Sequence, residues 1–131
     1  CALQASQKLV FFTDLDKIIF HICRKDEWDA AQENGIYSGS SQDKADGFIH
    51  FSASNQLIES AARHRAGQDG LMLLSVDADL LGTALKWESS RGGELFPHLY
   101  GDLPFYAVLN ALDLRLGADG KHIFPDSVFS P

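Results

Sequence analysis

Cysteine is scarce in this chain. Among its 131 residues only Cys1 and Cys23 carry a thiol. Two cysteines exclude a disulfide scaffold, a four-thiolate zinc site and a Cys-x-x-Cys redox pair. A chain without disulfides is typical of a reducing compartment, so we expect a cytoplasmic protein.

Positive charge is scarce as well. The chain has 11 Lys and Arg against 18 Asp and Glu, which gives a formal net charge of -7. Nucleic-acid binding by counterion release needs a basic face, so the charge balance argues against this mode and leaves room only for a small local basic pocket. No stretch approaches the roughly 20 apolar residues of a membrane span, and the apolar run 9–12 is too short for a signal peptide. We expect neither a nucleic-acid partner at a basic face nor a membrane partner.

Several motifs of well-known enzymes are missing. Neither GxGxxG nor GxxxxGK[ST] occurs, so the standard dinucleotide and phosphate loops are excluded. HExxH is absent, which leaves little support for a catalytic metal, and we predict none. Ser52 has no GxSxG turn around it, which argues against a serine hydrolase.

The length and the 45% hydrophobic content are those of one globular domain, which we place at residues 17–131, after an N-terminal extension at 1–16. Short apolar runs predict strands at 17–23, 48–52, 71–76, 84–88 and 107–116. Helical spacing predicts helices over 25–34 and 55–65, the second with an apolar stripe of Leu57, Ile58, Ala61 and Ala62. We interpret 38–47 and 89–101 as loops, and the fold class as α+β.

Three histidines occupy informative places. His21 lies within an apolar strand, His50 shares a strand face with Ser52 because side chains alternate, and His98 lies in the loop 89–101. Each has an ordinary interpretation as a hydrogen-bonded structural histidine. If the three share a cleft, catalysis or ligand binding becomes the better interpretation.

The loop 89–101 carries further candidates. Arg91 beside two glycines suits a phosphate or carboxylate, and Glu94 suits a base or a ribose hydroxyl. Trp87, Phe96 and Tyr100 can form walls around a ring-shaped ligand, although aromatic residues also fill cores. His50, His98 and Glu94 together offer the atoms of a metal-dependent hydrolase, without the usual spacing.

The strings IFHIC, GIYSGSS, GFIHFSAS and RGGELFPHLYGDLP, read together, resemble the bacterial domain of unknown function 952 family. The resemblance runs from about residue 18 to residue 124. It implies a compact relative of the ADP-ribosyltransferase fold, an α+β fold with split antiparallel or mixed β-sheets and two short helices. It also implies a cleft between the sheets that binds NAD or a related nucleotide.

Site roles follow from the same resemblance. His21 would bind the nicotinamide ribose, His50 or Ser52 would orient the glycosidic bond, and Glu94 or His98 would be the third catalytic group. Arg91 would take the pyrophosphate, with Tyr100 as a further cofactor-binding residue. One departure is that Ile22 follows His21, where the polymerase branch has glycine. The alternatives are a non-catalytic module that binds a nucleotide or anionic metabolite, and the metal-dependent hydrolase.

Overall fold

The computed structural model describes residues 17–125, so the N-terminal extension predicted at 1–16 lies outside the described residues. The described residues form seven strands and three α-helices. The strands are β1 Ile18–Arg24, β2 Ile49–His50, β3 Leu71–Asp77, β4 Leu85–Ser89, β5 Leu95–Leu99, β6 Val108–Leu116 and β7 His122–Ile123. The helices are α1 Lys25–Asn34, α2 Ser41–Asp46 and α3 Ser54–His64.

The strands form two sheets in which every neighbouring pair is antiparallel. The first sheet has the order β1-β3-β6-β7, and the second has the order β2-β5-β4. One backbone pair joins β1 to the chain just after β2: the amides of Phe20 and Ser52 each donate to the other's carbonyl, at 2.8 Å. The predicted α+β class with antiparallel sheets is confirmed.

Side-chain alternation along β1 separates two apolar clusters. Ile19 and Cys23 point toward the cluster that also holds Leu74 of β3 and Leu99 of β5. Phe20 points toward the opposite cluster, which packs against α3. The first cluster therefore involves residues of both sheets, and the second fixes α3 on the other face of the first sheet.

The two predicted helices are present, with one correction to the second. Helix α1 ends at Gly35, whose left-handed φ of 81° favours glycine, and Trp28 is buried as expected. In α3, Leu57 and Ala61 are buried whereas Ile58 is 56% exposed. Residues four apart share a helix face and Ile58 lies about 100° away from Leu57, so the apolar stripe is narrower than predicted. Within residues 17–125 no helix is long and apolar enough to cross a membrane.

Two segments predicted as loops contain regular structure. Residues 41–46 form a third helix, α2, where two were predicted, and the pair Ser40 and Asp43 forms its capping box. Within 89–101 the chain forms β5, which pairs with both β2 and β4. Glycines and polar residues in both segments gave no apolar period that would have predicted these elements. His98 lies on strand β5 and not on a loop, so that prediction was wrong.

Candidate functional site

A cavity of about 450 Å³ lies beside the Phe20–Ser52 pair that joins the two sheets, and both residues of that pair line it. Four of the predicted site residues line it: His21, His50, Ser52 and His98. They come from β1, from β2 and the residues after it, and from β5, so both sheets contribute. The three histidines that the sequence could not place relative to one another share one cleft.

His21 is buried and bound to protein through both ring nitrogens. Its Nδ1 lies 2.6 Å from the carbonyl of His50, and its Nε2 lies 2.7 Å from the Tyr37 hydroxyl. A carbonyl can only accept, so Nδ1 carries the proton and Nε2 accepts from Tyr37. Burial lowers the pKa of His21 and outweighs the opposing charge of Asp43. A ligand would reach a ring nitrogen of His21 only by displacing one of these partners.

His50 is held between two carboxylates. Its Nδ1 lies 2.5 Å from Asp43 Oδ1, and its Nε2 lies 3.0 Å from Asp46 Oδ2. Its side chain is 39% exposed, as is that of Asp46. Carboxylates accept hydrogen bonds, so both ring nitrogens act as donors in this arrangement. Because Asp46 is partly solvated, a ligand hydroxyl can replace it at Nε2.

Asp43 organises this half of the site from the first turns of α2. Its Oδ2 accepts from the Ser40 amide at 2.8 Å and lies 3.6 Å from Nε2 of His21, and its Oδ1 also accepts from the His50 amide. Burial by itself raises the pKa of Asp43, but the hydrogen bond from the His50 ring, the electrostatic interaction with His21 and the backbone amides of Ser40 and His50 outweigh it and bring the pKa to about 2. Asp43 is therefore an ionised carboxylate that positions two cavity histidines.

His98 has a different arrangement. Its Nδ1 lies 2.9 Å from Glu88 Oε1, which also accepts from the Tyr100 hydroxyl at 2.6 Å. Phe48 stacks on the His98 ring at a centroid distance of 4.1 Å, and the His50 ring lies 5.7 Å away. Among the described residues, Nε2 of His98 has no hydrogen-bond partner. A histidine oriented by a carboxylate through one nitrogen, with the other unoccupied, is the arrangement of a general base.

The remaining predicted residues are distributed unevenly. Ser52 Oγ donates to Ser60 Oγ at 3.0 Å inside the cavity. Glu94 does not line the cavity and lies 3.5 Å from the amide nitrogen of Gln56, and Tyr100, an exposed residue, does not line it either. The Arg91 side chain lies outside the described part of the structure, so its pyrophosphate role stays a prediction.

Sequence reasoning missed Tyr37, Asp43, Asp46 and Glu88. For Asp43 a signal existed, because Ser40 followed three residues later by an acidic residue is typical of a capped helix start. For the other three, only the fold brings them to a histidine. Within residues 17–125 no group of three or more His, Cys, Asp or Glu side chains could hold a metal ion.

Taken together, these groups can bind a small polar molecule. His50 and His98 present imidazole nitrogens, Asp46 presents a carboxylate, and Ser52 presents a hydroxyl. Phe20, Leu57 and Phe96 add apolar walls. A mostly apolar pocket with a few convergent polar groups is typical of small-molecule sites.

The chain is similar to solved structures of protein CC0527 from Caulobacter crescentus. Its crystal structure is 48% identical, with a TM-score of 0.81 over 86% of this chain and 98% of that chain. The solution NMR structure is 49% identical, with a TM-score of 0.75 over 85% and 96% of the two chains. No curated protein matches this chain.

A family model matches residues 22–111, and its description is protein of unknown function (DUF952). The matched residues include His50, Ser52 and His98, and the match begins one residue after His21. Because it spans more than half of the chain, and the crystal structure agrees at 48% identity, the chain belongs to the DUF952 family.

Proposed function

We propose that the cavity binds NAD or a related nucleotide, in a cleft like the one that the ADP-ribosyltransferase fold forms between its two sheets. The supporting observation is the convergence of His21, His50, Ser52 and His98 on one cavity at the sheet junction. The cavity volume of about 450 Å³ lies within the range of roughly 300 to 1,000 Å³ that is usual for such sites.

The lining suits the parts of a nucleotide. Phe20, Leu57 and Phe96 supply apolar surface for a nicotinamide or adenine ring. The half-exposed Asp46 carboxylate can accept hydrogen bonds from ribose hydroxyls, which is how acidic residues recognise ribose in other nucleotide sites. His50, held in place by Asp43, donates to the same ribose from Nε2.

His98 is the candidate base for an ADP-ribosyl transfer. The bond between the ribose anomeric carbon and nicotinamide breaks, and its electron pair leaves with nicotinamide. An acceptor hydroxyl or amine forms the new bond to that carbon and gives its proton to Nε2 of His98, which Glu88 orients through Nδ1. Asp46 is the cavity carboxylate that would stabilise the positive charge developing on the ribose, since Glu94, a candidate for the third catalytic group, does not line the cavity.

His21 takes a positioning role in this proposal. Its Nδ1 proton fixes the backbone carbonyl of His50, and Tyr37 occupies Nε2. In this proposal His50, not His21, contacts the ribose, and His21 positions His50 through the hydrogen bond to its carbonyl.

A second candidate is a binding module without turnover. It is favoured by one specific observation: both ring nitrogens of His21 are occupied by protein partners, so the first of the three expected catalytic contacts is missing. In that case the cavity would recognise the nucleotide and release it unchanged.

Backbone-amide NMR titration with NAD tests binding and location together. We expect saturable shifts at His50, Ser52 and His98 in the wild type. Asp46→Asn should weaken NAD binding at least about fivefold through loss of the ribose acceptor. The control is Asp29→Asn on the exposed face of α1, which should leave the affinity unchanged. No shifts at millimolar NAD would reject the proposal.

The two candidate functions differ in whether free nicotinamide is released from NAD, which chromatography measures. An ADP-ribosyltransferase releases nicotinamide when an acceptor or water is present, and His98→Gln should abolish that release while NAD still binds. A binding module shows the same amide shifts in the wild type and releases no nicotinamide over hours.

A further inference from the structure

Two oppositely charged side chains line the cavity without being paired. Arg65 reaches it from the C-terminal end of α3, and Glu27 reaches it from α1. Both are partly buried, and both act electrostatically on the buried thiol of Cys23. Neither forms a salt bridge within the described part of the chain.

Arg65 is a cation held in place by neutral groups. One guanidinium nitrogen donates to the Ile22 carbonyl at 3.3 Å, and another donates to Gln68 Oε1 at 3.2 Å. Arg63, two residues earlier on the same helix, instead pairs with the Glu59 carboxylate at 3.3 Å. The difference matters because a guanidinium without a carboxylate keeps its charge available for a ligand anion.

Glu27 shows the complementary feature. Its Oε1 is a buried oxygen without a hydrogen-bond partner among the described residues. A buried carboxylate oxygen without a donor is costly, and such an orphan calls for a specific partner. Oε1 itself is closed to solvent, so a ligand in the cavity would meet the part of the half-buried Glu27 side chain that lines it.

We propose that Arg65 and Glu27 form a subsite for a phosphorylated sugar or nucleoside, in which Arg65 binds the phosphate and Glu27 accepts from a neighbouring hydroxyl or amine. The inference rests on the proposed nucleotide function and identifies which part of the cavity takes the phosphate. The protein's net charge of -7 repels anions at long range, so binding depends on this local cation.

The subsite is tested by titrating ADP-ribose or inorganic pyrophosphate into the protein and measuring the affinity by NMR or calorimetry. Arg65→Gln should weaken both ligands by about tenfold to a hundredfold, as expected for a lost charge-assisted contact. Arg65→Lys should fall between, because lysine keeps the charge without the two-pronged geometry. Arg63→Gln is the matched control and should bind both ligands like the wild type.

The Glu27 variant separates the two halves of the subsite. Glu27→Gln should weaken ADP-ribose severalfold or more, because an amide oxygen is a poorer acceptor than a carboxylate. Pyrophosphate, which brings no hydroxyl donor, should bind as well or better once the negative charge is gone. Glu33→Gln, on the exposed part of α1, should change neither affinity.

Each result decides between the proposals. If pyrophosphate and ADP-ribose bind through Arg65 but NAD neither binds nor reacts, the proposed NAD binding and ADP-ribosyl transfer are wrong and the phosphate subsite stands. If NAD binds and Arg65→Gln leaves every affinity unchanged, the subsite is wrong and the function stands. The subsite is also overturned if neither phosphate compound binds, or if only a zwitterion such as a free amino acid does. Amide spectra of each variant establish that it is folded.

Discussion

His21 and His50 are linked by a hydrogen bond and yet differ in almost every property that matters for chemistry. His21, in the first sheet, is buried and bonded to a backbone carbonyl and to Tyr37. His50, in the second sheet, is bound between Asp43 and Asp46 and is partly exposed. The comparison teaches that the partners of the two ring nitrogens, more than the presence of a histidine in a cleft, decide whether it can serve a ligand.

The largest effect is expected at Asp43, because it contacts both histidines. Asp43→Ala leaves the amides of Ser40 and His50 and the ring of His50 without their acceptor. Breaking a buried charged network of this kind should lower the free energy of unfolding by about 3 to 5 kcal/mol. Urea denaturation measures this, with the exposed Asp29→Ala as control. A loss below 1 kcal/mol would mean that Asp43 is not the centre of the site.

We next expect the free energy of unfolding to fall in two steps as the pH is lowered, one due to His21 and one due to Asp43. The Asp43 pKa lies at about 2 in the folded chain, below its ordinary value of 3.8. The resulting stabilisation, about 2 kcal/mol, is present above pH 3.8 and is lost as the pH falls toward 2.

His21 contributes at higher pH. Its folded pKa is lowered below 6.5 because burial disfavours the charged ring, so the unfolded chain takes up the proton first. Stability is full above pH 6.5 and declines as the pH falls below it. Unfolding free energies measured between pH 8 and pH 2 should show both declines, and His21→Gln should remove only the first. A decline at pH 6.5 that survives in His21→Gln would assign it to another group.

A smaller effect is expected from Tyr37→Phe. The substitution keeps the ring and removes the hydroxyl that donates to Nε2 of His21, which leaves a buried acceptor unsatisfied. We expect a loss of about 1 to 2 kcal/mol in unfolding free energy and no change in ligand affinity. Tyr106→Phe, at a residue that is 74% exposed, is the control. A large loss of NAD affinity in Tyr37→Phe would show that His21 serves the ligand directly.

The smallest effect concerns the surface of α3. Arg63→Gln removes an exposed ion pair with Glu59, four residues earlier. Pairs of this kind contribute about 0.3 to 0.5 kcal/mol, and added salt should abolish the difference from the wild type. Thermal unfolding at two salt concentrations measures it. A loss above 1 kcal/mol would disqualify Arg63→Gln as the control for Arg65.

Much of the fold was predictable from local pattern. The apolar runs around His21 and at 71–76 became the antiparallel neighbours β1 and β3, and the helix before Gly35 ended where predicted. The pattern failed where polar loop-like sequence covered regular structure, at α2 and at β5. Short elements that carry few apolar residues give little periodic signal, and their stability comes from a capping box or from pairing with two neighbouring strands.

The site was predictable in residue type more than in role. His21, His50, Ser52 and His98 were identified and do share a cavity, whereas Glu94 and Tyr100 do not line it. Asp43 escaped because a carboxylate in a Ser- and Asp-rich segment resembles a solvated one. Arg65 escaped because nothing in sequence distinguishes it from its neighbour Arg63, whose charge is already paired.

The sequence by itself determined the α+β class, the buried strands, the net charge of -7 and which histidines were candidates for a site, because these depend on composition and on the period of apolar residues. Tertiary structure alone decided that β1, β2 and β5 line one cavity, that both ring nitrogens of His21 are occupied while Nε2 of His98 is not, and that Arg65 and Glu27 line the cavity without a salt bridge among residues 17–125. Those properties depend on contacts between residues 16 to 43 positions apart, which no local pattern encodes.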